Sequence, residues 1–133
     1  MKVLVCGDRN WTDAGAIACR LRTFPPGTVV IHGDARGADR LAGEEAGQLG
    51  FAVQAFPAEW SKFGLAAGPV RNRQMLDQHP DLVLAFHENL SRSKGTADCI
   101  RQAKQRGIPV ELIGRIEAGS QKESCDAESV DVS

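Results

Sequence analysis

The stretch VVIHGDARGADRLAGEEAGQLG, residues 29–50, decides the fold because it connects a buried strand to a helix through a charged turn. The mostly apolar run from Thr28 to His32 does not alternate with polar residues, which predicts a strand covered on both faces. Alanines and leucines then recur at helical spacing until Gly50 (Ala38, Leu41, Ala42, Ala46 and Leu49). Between them, residues 33–40 carry two glycines, two aspartates and two arginines. Such a turn is either a solvated corner or a cradle for a polyanion.

The same alternation of apolar run and helical stripe continues through the first 113 residues. Predicted strands cover residues 2–6, 28–32, 52–56, 81–86 and 110–113, and predicted helices cover residues 14–21, 38–49, 69–78 and 96–106. Apolar strands separated by helices are typical of parallel sheets with helices on both faces. With right-handed crossovers, the sequence therefore predicts an α/β fold, a Rossmann-like three-layer sandwich around a mainly parallel five-stranded sheet.

The domain organisation follows from the point at which this pattern stops. A chain of 133 residues is long enough for one domain with a real core, which we assign to residues 1–115. Residues 116–133, IEAGSQKESCDAESVDVS, are acidic, rich in serine and poor in large apolar side chains. Such a segment cannot bury enough surface to offset its conformational entropy, so a disordered tail is predicted.

The composition argues against several classes of function. Sixteen basic and seventeen acidic residues give a net charge of −1, which is unlike a general polyanion binder. No apolar run approaches the roughly 20 residues of a membrane span, and the apolar run at residues 3–6 is too short for a signal peptide. No two cysteines show the C-x-x-C spacing of zinc or redox motifs. We therefore expect a cytoplasmic protein that needs no membrane, metal or cofactor.

The carboxyl ends of the predicted strands are where a ligand is expected, because open parallel sheets bind ligands there. At these ends the sequence places four loops, at residues 7–11, 33–40, 68–73 and 91–98. Each loop contains a glycine and at least one arginine or lysine. Close backbone approach at glycine, helix N-termini and arginine forks together favour phosphate recognition. The chain has neither a Walker A loop nor a G-x-G-x-x-G fingerprint.

The residue types in these loops suggest individual roles. Candidate ligand-binding residues are Gly7, Arg9, Trp11, Gly33, Arg36, Gly37, Asp39, Arg71, Arg73, Gly95 and Thr96. The glycines either bring a ligand close to the backbone or form tight turns, and the arginines bind phosphate or pair with neighbouring carboxylates. Asp39 either holds ribose hydroxyls or a base, or complements the dipole of its helix. Trp11 is predicted to stack on a base, whereas Trp60 is a lid or, more commonly for such a residue, a cover of the core.

Six segments of the chain resemble a known family: CGDRNWTD, IHGDARGADRLAGEEA, FPAEW, AAGPVRNRQML, DLVLAF and KGTADCIRQAKQRGIPV. In order and without large gaps, residues 1–113 resemble the YspA, cpYpsA-related branch of the SLOG superfamily. This superfamily of Rossmann-like domains includes the LOG phosphoribohydrolases and the DprA core. The resemblance implies a domain that binds or processes a nucleotide or a nucleotide-derived ligand.

The resemblance to the LOG enzymes is partial. Their R-K-x-x-M segment is similar to residues 71–75, RNRQM, which implies that Arg71 is the functional arginine. Their P-G-G-x-G-T-x-x-E loop is similar to this chain at residues 95–96, but the glutamate position is occupied by Cys99. Their glycine-rich second loop appears here as Gly-Asp-Ala at residues 33–35. The resemblance therefore supports the class of ligand better than the reaction.

Three functions follow from these observations. The leading hypothesis is binding of a nucleotide or phosphoribosyl ligand at the carboxyl edge of the sheet, in signalling or nucleotide metabolism. The alternative is a LOG-like phosphoribohydrolase that cleaves the N-glycosidic bond of a nucleoside 5′-monophosphate, with Asp98 or Asp39 as the catalytic carboxylate. A single-stranded DNA-binding module, by analogy with the DprA core, is disfavoured by the net charge of −1. LOG relatives commonly form dimers, so the resemblance also implies a homodimer or a higher homo-oligomer.

Overall fold

The structure is a computed structural model that describes residues 1–87 and 94–114. Its strands are β1 (Lys2–Gly7), β2 (Val29–His32), β3 (Ala52–Ala55), β4 (Leu82–Phe86) and β5 (Val110–Ile113). Its helices are α1 (Ala14–Leu21), α2 (Ala38–Gln48), α3 (Trp60–Phe63), α4 (Ala67–Leu76) and α5 (Lys94–Gln105), with a 3₁₀ turn (Gly64–Ala66) between α3 and α4. The predicted tail, residues 116–133, lies outside the described residues. No helix in the described part of the chain is long and apolar enough to cross a membrane.

The strands form one five-stranded parallel sheet in the order β3-β2-β1-β4-β5. The predicted α/β fold with a Rossmann-like sheet is thereby confirmed. The chain winds outward from β1 to β3 and then returns to place β4 on the other side of β1. The strand order therefore reverses between β1 and β4, and open sheets of this kind form a ligand-binding crevice at such a reversal.

The core consists of two apolar clusters, one on each face of the sheet. Successive side chains of a strand point to opposite faces, so β1 contributes to both clusters. Val3 and Val5 pack with buried residues of α1 and α2, whereas Leu4 and Cys6 pack with buried residues of α4 and α5. This burial on both faces explains why the apolar run of β1 is continuous in the sequence.

β3 and the segment at residues 60–66 differ from the prediction. The sequence predicts that the third strand is covered on both faces, but all four residues of β3 are exposed. The reason is its place at the edge of the sheet, where it pairs only with β2. Residues 60–66, predicted as a polar and glycine-rich connection, form α3 and the 3₁₀ turn. No residue of α3 or of the 3₁₀ turn is buried, so the sequence has no apolar stripe from which these elements could be predicted.

Candidate functional site

A cleft of about 1060 Å³ lies beyond the carboxyl ends of β1 and β2. Its other walls come from α4, from the start of α5 and from the segment at residues 57–65. Described residues of all four charged loops line it, so these loops meet at one edge of the sheet. This is the edge at which the reversal of strand order leads us to expect a ligand.

Two of the candidate glycines allow the first two loops to pack against each other. A Cβ at Gly7 would lie 2.7 Å from the Cβ of Ala38, so only glycine lets α2 begin directly against the end of β1. Gly37 has a left-handed φ of 84°, and a Cβ there would overlap the backbone carbonyl of Arg9. The Asp8 carbonyl also accepts hydrogen bonds from the N–H groups of Trp11 and Ala38, both at 3.1 Å. Gly7 also lines the cleft. Gly37 does not, and the close approach of the Arg9 backbone explains why this position is a glycine.

Asp39 organises the second loop from the first turn of α2. Its side chain is buried, and its Oδ2 accepts hydrogen bonds from the N–H groups of Gly33 at 2.9 Å and Ala35 at 3.4 Å. The N–H of Asp34, which has a positive φ of 54°, donates to His32 Nδ1 at 2.9 Å. These three backbone donors are therefore used by the protein itself. A phosphate cannot bind to these three N–H groups without displacing Asp39 or His32, and phosphate binding by other groups of this loop stays a prediction.

The Asp39 carboxyl titrates near neutral pH. Burial raises its pKa from the ordinary aspartate range to about 6, while Arg71 and the two backbone N–H groups oppose the shift. A carboxyl with such a pKa exchanges protons readily under physiological conditions, which is a property of general acids and bases.

Arg71 reaches from α4 to the second loop. Its Nη1 donates to the carbonyl oxygen of Gly33 at 2.6 Å, and its Nε donates to Oδ1 of Asn72 at 3.0 Å. A Cβ at Gly33 would overlap this guanidinium, so the glycine makes room for Arg71 rather than for a ligand. Gly33 consequently donates to Asp39 through its N–H and accepts from Arg71 through its carbonyl. A carboxylate and a guanidinium are thus fixed on either side of one residue in the same cleft.

Asn72 is a site residue that the sequence reasoning missed. It is 2% exposed, and its Nδ2 donates to the carbonyl oxygen of Gly95 at 3.1 Å and to Oδ2 of Asp98 at 3.0 Å. Together with the bond from Arg71, these contacts join α4 to the first turn of α5. The available signal was its spacing: Met75 and Leu76, three and four residues later, place Asn72 on the buried face of its helix.

Asp98 lines the cleft but is largely occupied by hydrogen bonds within the protein. Its Oδ2 accepts from Asn72 and from Nε2 of Gln102, the latter at 2.7 Å, and its Oδ1 pairs with the guanidinium of Arg101. These contacts make it an anchor of α5 rather than a free carboxylate. Of the two candidate catalytic residues, Asp39 is the better suited to exchange a proton.

Cys99, at the position of the LOG glutamate, lies in the core below the cleft. It is fully buried, and it contacts Cys6 at the end of β1. The contact with Cys99, together with burial, raises the pKa of the Cys6 thiol. With its raised pKa, the Cys6 thiol is not a base at neutral pH, and Cys99 does not supply the carboxylate of the LOG glutamate.

The remaining candidates divide between the cleft and the outer surface. Arg9, Gly95 and Thr96 line the cleft, and a Cβ at Gly95 would meet only open space. Arg36 and Arg73 are exposed and do not line it, so the structure does not bring these two arginines to the site.

The two tryptophans have the reverse of their predicted environments. Trp11 is 4% exposed, packs on Phe86 with ring centroids 5.7 Å apart, and donates from Nε1 to the carbonyl oxygen of Asp13 at 3.0 Å. Trp60 lines the cleft and is 58% exposed. A core-covering role for Trp60 is wrong. Trp11 belongs both to the core and to the cleft wall, so base stacking on it stays a prediction.

Comparisons with known proteins give a consistent family. Residues 1–63 match the family model described as "YAcAr: YspA, cpYpsA-related SLOG family". The Gene 61 protein of Mycobacterium phage D29 is 42% identical over 122 residues, which cover 85% of this chain and 96% of that protein. The structure is similar to DNA processing protein A (DprA) from Streptococcus pneumoniae, with a TM-score of 0.69 and 18% identity. That match covers 98% of this chain but 56% of the DprA chain, so the chain spans about half of DprA.

Proposed function

Because the chain belongs to the YspA, cpYpsA-related SLOG family, we propose that its cleft binds a nucleotide or a nucleotide-derived phosphoribosyl ligand. Membership of this family suggests a nucleotide-related ligand, and the cleft carries groups suited to one. The observation that carries the proposal is the arrangement around Gly33, which donates to Asp39 at 2.9 Å and accepts from Arg71 at 2.6 Å. A carboxylate that can accept hydrogen bonds from sugar hydroxyls and a guanidinium that can donate them to a phosphate are thereby held side by side.

The phosphate is assigned to Arg71 and the start of α5. Within the described residues, Nη2 of Arg71 has no hydrogen-bond partner, which leaves part of its guanidinium for a ligand. Lys94 and Gly95, the first two residues of α5, line the same cleft. A helix N-terminus and a guanidinium both favour anions, and together they supply directed donors and positive charge.

The ribose is assigned to Asp39. The two hydrogen bonds that its carboxylate accepts from Gly33 and Ala35 both use Oδ2, and its Oδ1 bonds to no group in residues 1–87 or 94–114. A carboxylate repels a phosphate but accepts hydrogen bonds from sugar hydroxyls, as acidic residues do in other Rossmann-like sites. With a pKa of about 6, the group is mostly ionised at pH 7 and therefore able to accept them.

Titration calorimetry with AMP, GMP, CMP, UMP, ADP-ribose and ribose 5-phosphate tests this proposal. Arg71→Ala is expected to weaken binding of the phosphorylated probes by about 10- to 100-fold, because a charge-assisted contact is lost. Arg73→Ala is the matched control, since this arginine lies two residues away on the same helix but outside the cleft. The proposal fails if none of the probes binds, or if the two variants behave alike.

A second function, cleavage of the N-glycosidic bond of a nucleoside 5′-monophosphate, is favoured by the pKa of about 6 for Asp39. Water would add across the bond between C1′ and the base, and the products would be the free base and ribose 5-phosphate. Asp39 would take the proton of the attacking water or stabilise the cationic sugar. Chromatography of AMP, GMP, CMP and UMP after incubation with excess protein decides this. Asp39→Asn should abolish any release of base, and absence of free base with the native chain rejects the reaction.

Single-stranded DNA binding gains no support from the likeness to DprA. At 18% identity this likeness establishes the fold alone.

A further inference from the structure

Trp60 is a large apolar side chain whose exposure the fold does not explain. It is 58% exposed, and the nearby Leu65 is 97% exposed. Neither α3 nor the 3₁₀ turn that follows it contains a buried residue, so these side chains contribute little to the core. Both side chains nevertheless line the cleft.

The cleft wall combines charged and apolar side chains. Arg71 and Lys94, brought near each other by the contacts of Asn72 with Arg71 and Gly95, are here called the charged end. Pro57, Trp60 and Leu65, from the segment at residues 57–65, are called the apolar end. A nucleotide has the same polarity, with a charged phosphate at one end and a flat, uncharged base at the other. Aromatic side chains bind such bases by stacking on their faces.

The two ends lie along one helix. Cη2 of Trp60 is 3.8 Å from the position of a Cβ on Gly68, so the indole lies against the first turn of α4. Arg71 follows Gly68 by three residues, and residues three apart on a helix are neighbours. The indole and the guanidinium are therefore separated by about one helical turn.

Phe63, the other aromatic residue of α3, is not equivalent to Trp60. The ammonium group of Lys62 lies 5.1 Å from the centroid of its ring. Phe63 is also absent from the cleft wall, although Trp60, three residues earlier, belongs to it. Trp60 is thus the aromatic side chain of α3 that is available to a ligand in the cleft.

We propose that Trp60 is the base-binding platform of this site and stacks on the nucleobase of the ligand whose phosphate Arg71 binds. The proposal rests on the proposed function, because it requires a nucleotide in the cleft. It adds that the ligand carries an aromatic base, and that the base rather than the sugar phosphate supplies a large part of the affinity. A sugar phosphate without a base would fill only the charged end.

The test compares AMP, GMP, CMP and UMP with ribose 5-phosphate by titration calorimetry. In the native chain, at least one of the monophosphates should bind more tightly than ribose 5-phosphate by about 5- to 150-fold, the range expected for stacking of one base. Trp60→Ala should reduce this ratio to about one, Trp60→Phe should retain most of it, and neither should change the affinity for ribose 5-phosphate. Val53→Ser is the matched control, because it removes an exposed apolar side chain outside the cleft.

Fluorescence provides a readout that a purely structural role would not change. Trp11 is buried against Phe86, so a stacked base should quench the emission of Trp60 and leave that of Trp11. The quenching should appear with the tightest-binding monophosphate and be absent in Trp60→Phe.

Three results would overturn the inference. If ribose 5-phosphate and the monophosphates bind equally, or if Trp60→Ala keeps the ratio, Trp60 is not the platform although the proposed function stands. If Trp60→Ala converts an oligomer into a monomer in light scattering without altering the ratio, the indole is a contact between copies of the chain. If none of these probes binds, the proposed function fails and this inference fails with it.

Discussion

At the scale of single residues, Asp39 is the position where binding and stability conflict. It is buried at 5% exposure, yet the proposed contact with sugar hydroxyls requires its carboxyl to be ionised. Burial raises its pKa to about 6, which means that the folded protein binds this proton more tightly than the unfolded chain does. A residue that weakens the fold and faces a cleft is typical of a functional site.

This conflict predicts how stability depends on pH. The unfolded carboxyl releases its proton near pH 4, whereas the folded one keeps it until about pH 6. The Asp39 contribution to the free energy of unfolding should therefore fall as the pH rises between these values and stay constant above them. The side chain of Asp39→Asn is never charged. The free energy of unfolding of this variant should therefore rise by about 1–3 kcal/mol, relative to that of the native chain, as the pH increases from 4 to 7.

Urea denaturation at pH 4.5, 6 and 7.5 measures this difference. Glu44→Gln, which neutralises an exposed carboxylate on the same helix, is the control and should show no comparable gain. If the free energies of the native chain and of Asp39→Asn run parallel over this range, the burial cost assigned to Asp39 is wrong.

The same scale shows what the sequence could indicate about the site. Glycine and charge at strand ends were sufficient to place Asp39 and Arg71 at one edge of the sheet. They could not reveal that Gly33 contacts both residues, because the contact with Arg71 joins a side chain to a backbone carbonyl 38 positions away along the chain. Nor does the residue type separate Trp11 from Trp60, since both follow strands and only the packing of Trp11 on Phe86 decides its burial.

At the scale of elements, Asn72 connects α4 and α5, two helices whose first turns line the cleft. It accepts from Arg71, and it donates to the carbonyl of Gly95 and to Asp98. A buried amide with three partners is costly to remove, because three hydrogen bonds are lost together. Asn72 therefore helps to hold α4 against α5, in addition to the apolar cluster that the two helices share.

A double-mutant cycle tests this dependence. Asn72→Ala is expected to destabilise the protein by about 2–3 kcal/mol, and Asp98→Ala by a similar amount. The double variant should lose less than the sum, with a coupling of about 0.5–3 kcal/mol, because both changes remove one shared bond. Urea denaturation provides the values, and Arg73→Ala on the exposed side of α4 should change stability by less than about 0.5 kcal/mol. Additive effects would contradict a direct contact between Asn72 and Asp98.

Elements with a periodic apolar pattern could be predicted, and those without one could not. Residues 3–6 are apolar and are buried on two faces, so β1 is evident from the sequence. β3 was correctly predicted as a strand but wrongly predicted to be buried, since the sequence AVQA does not indicate whether the strand lies at the edge or inside the sheet. α3 has no buried residue, so its sequence carries no stripe, and it supplies the exposed Trp60. The exposure of Trp60 was thus mispredicted in the element with the least pattern.

At the scale of the whole molecule, the charge is unevenly divided along the chain. Residues 116–133 contain one lysine and five acidic residues (Lys122, Glu117, Glu123, Asp126, Glu128 and Asp131), a charge of −4. Since the whole chain carries −1, residues 1–115 carry −1 − (−4) = +3. The domain assigned to the cleft is therefore mildly basic, which agrees with an anionic ligand and is hidden in the overall composition.

The domain boundary leads to a prediction for the shortened chain. The residues that form the two apolar clusters lie between Val3 and Ile113, and the cleft wall ends at Asp98. A chain of residues 1–115 should therefore unfold in urea with the same midpoint as the full chain and bind AMP within about twofold of its affinity, since charges farther than about 10 Å are screened at 0.1 M salt.

A lower midpoint would mean that residues 116–133 pack against the domain, and the boundary at residue 115 would be wrong. An unchanged midpoint with tighter binding of AMP would instead mean that the acidic segment competes for the charged end of the cleft, because removing it would then release Arg71 and Lys94 for the ligand.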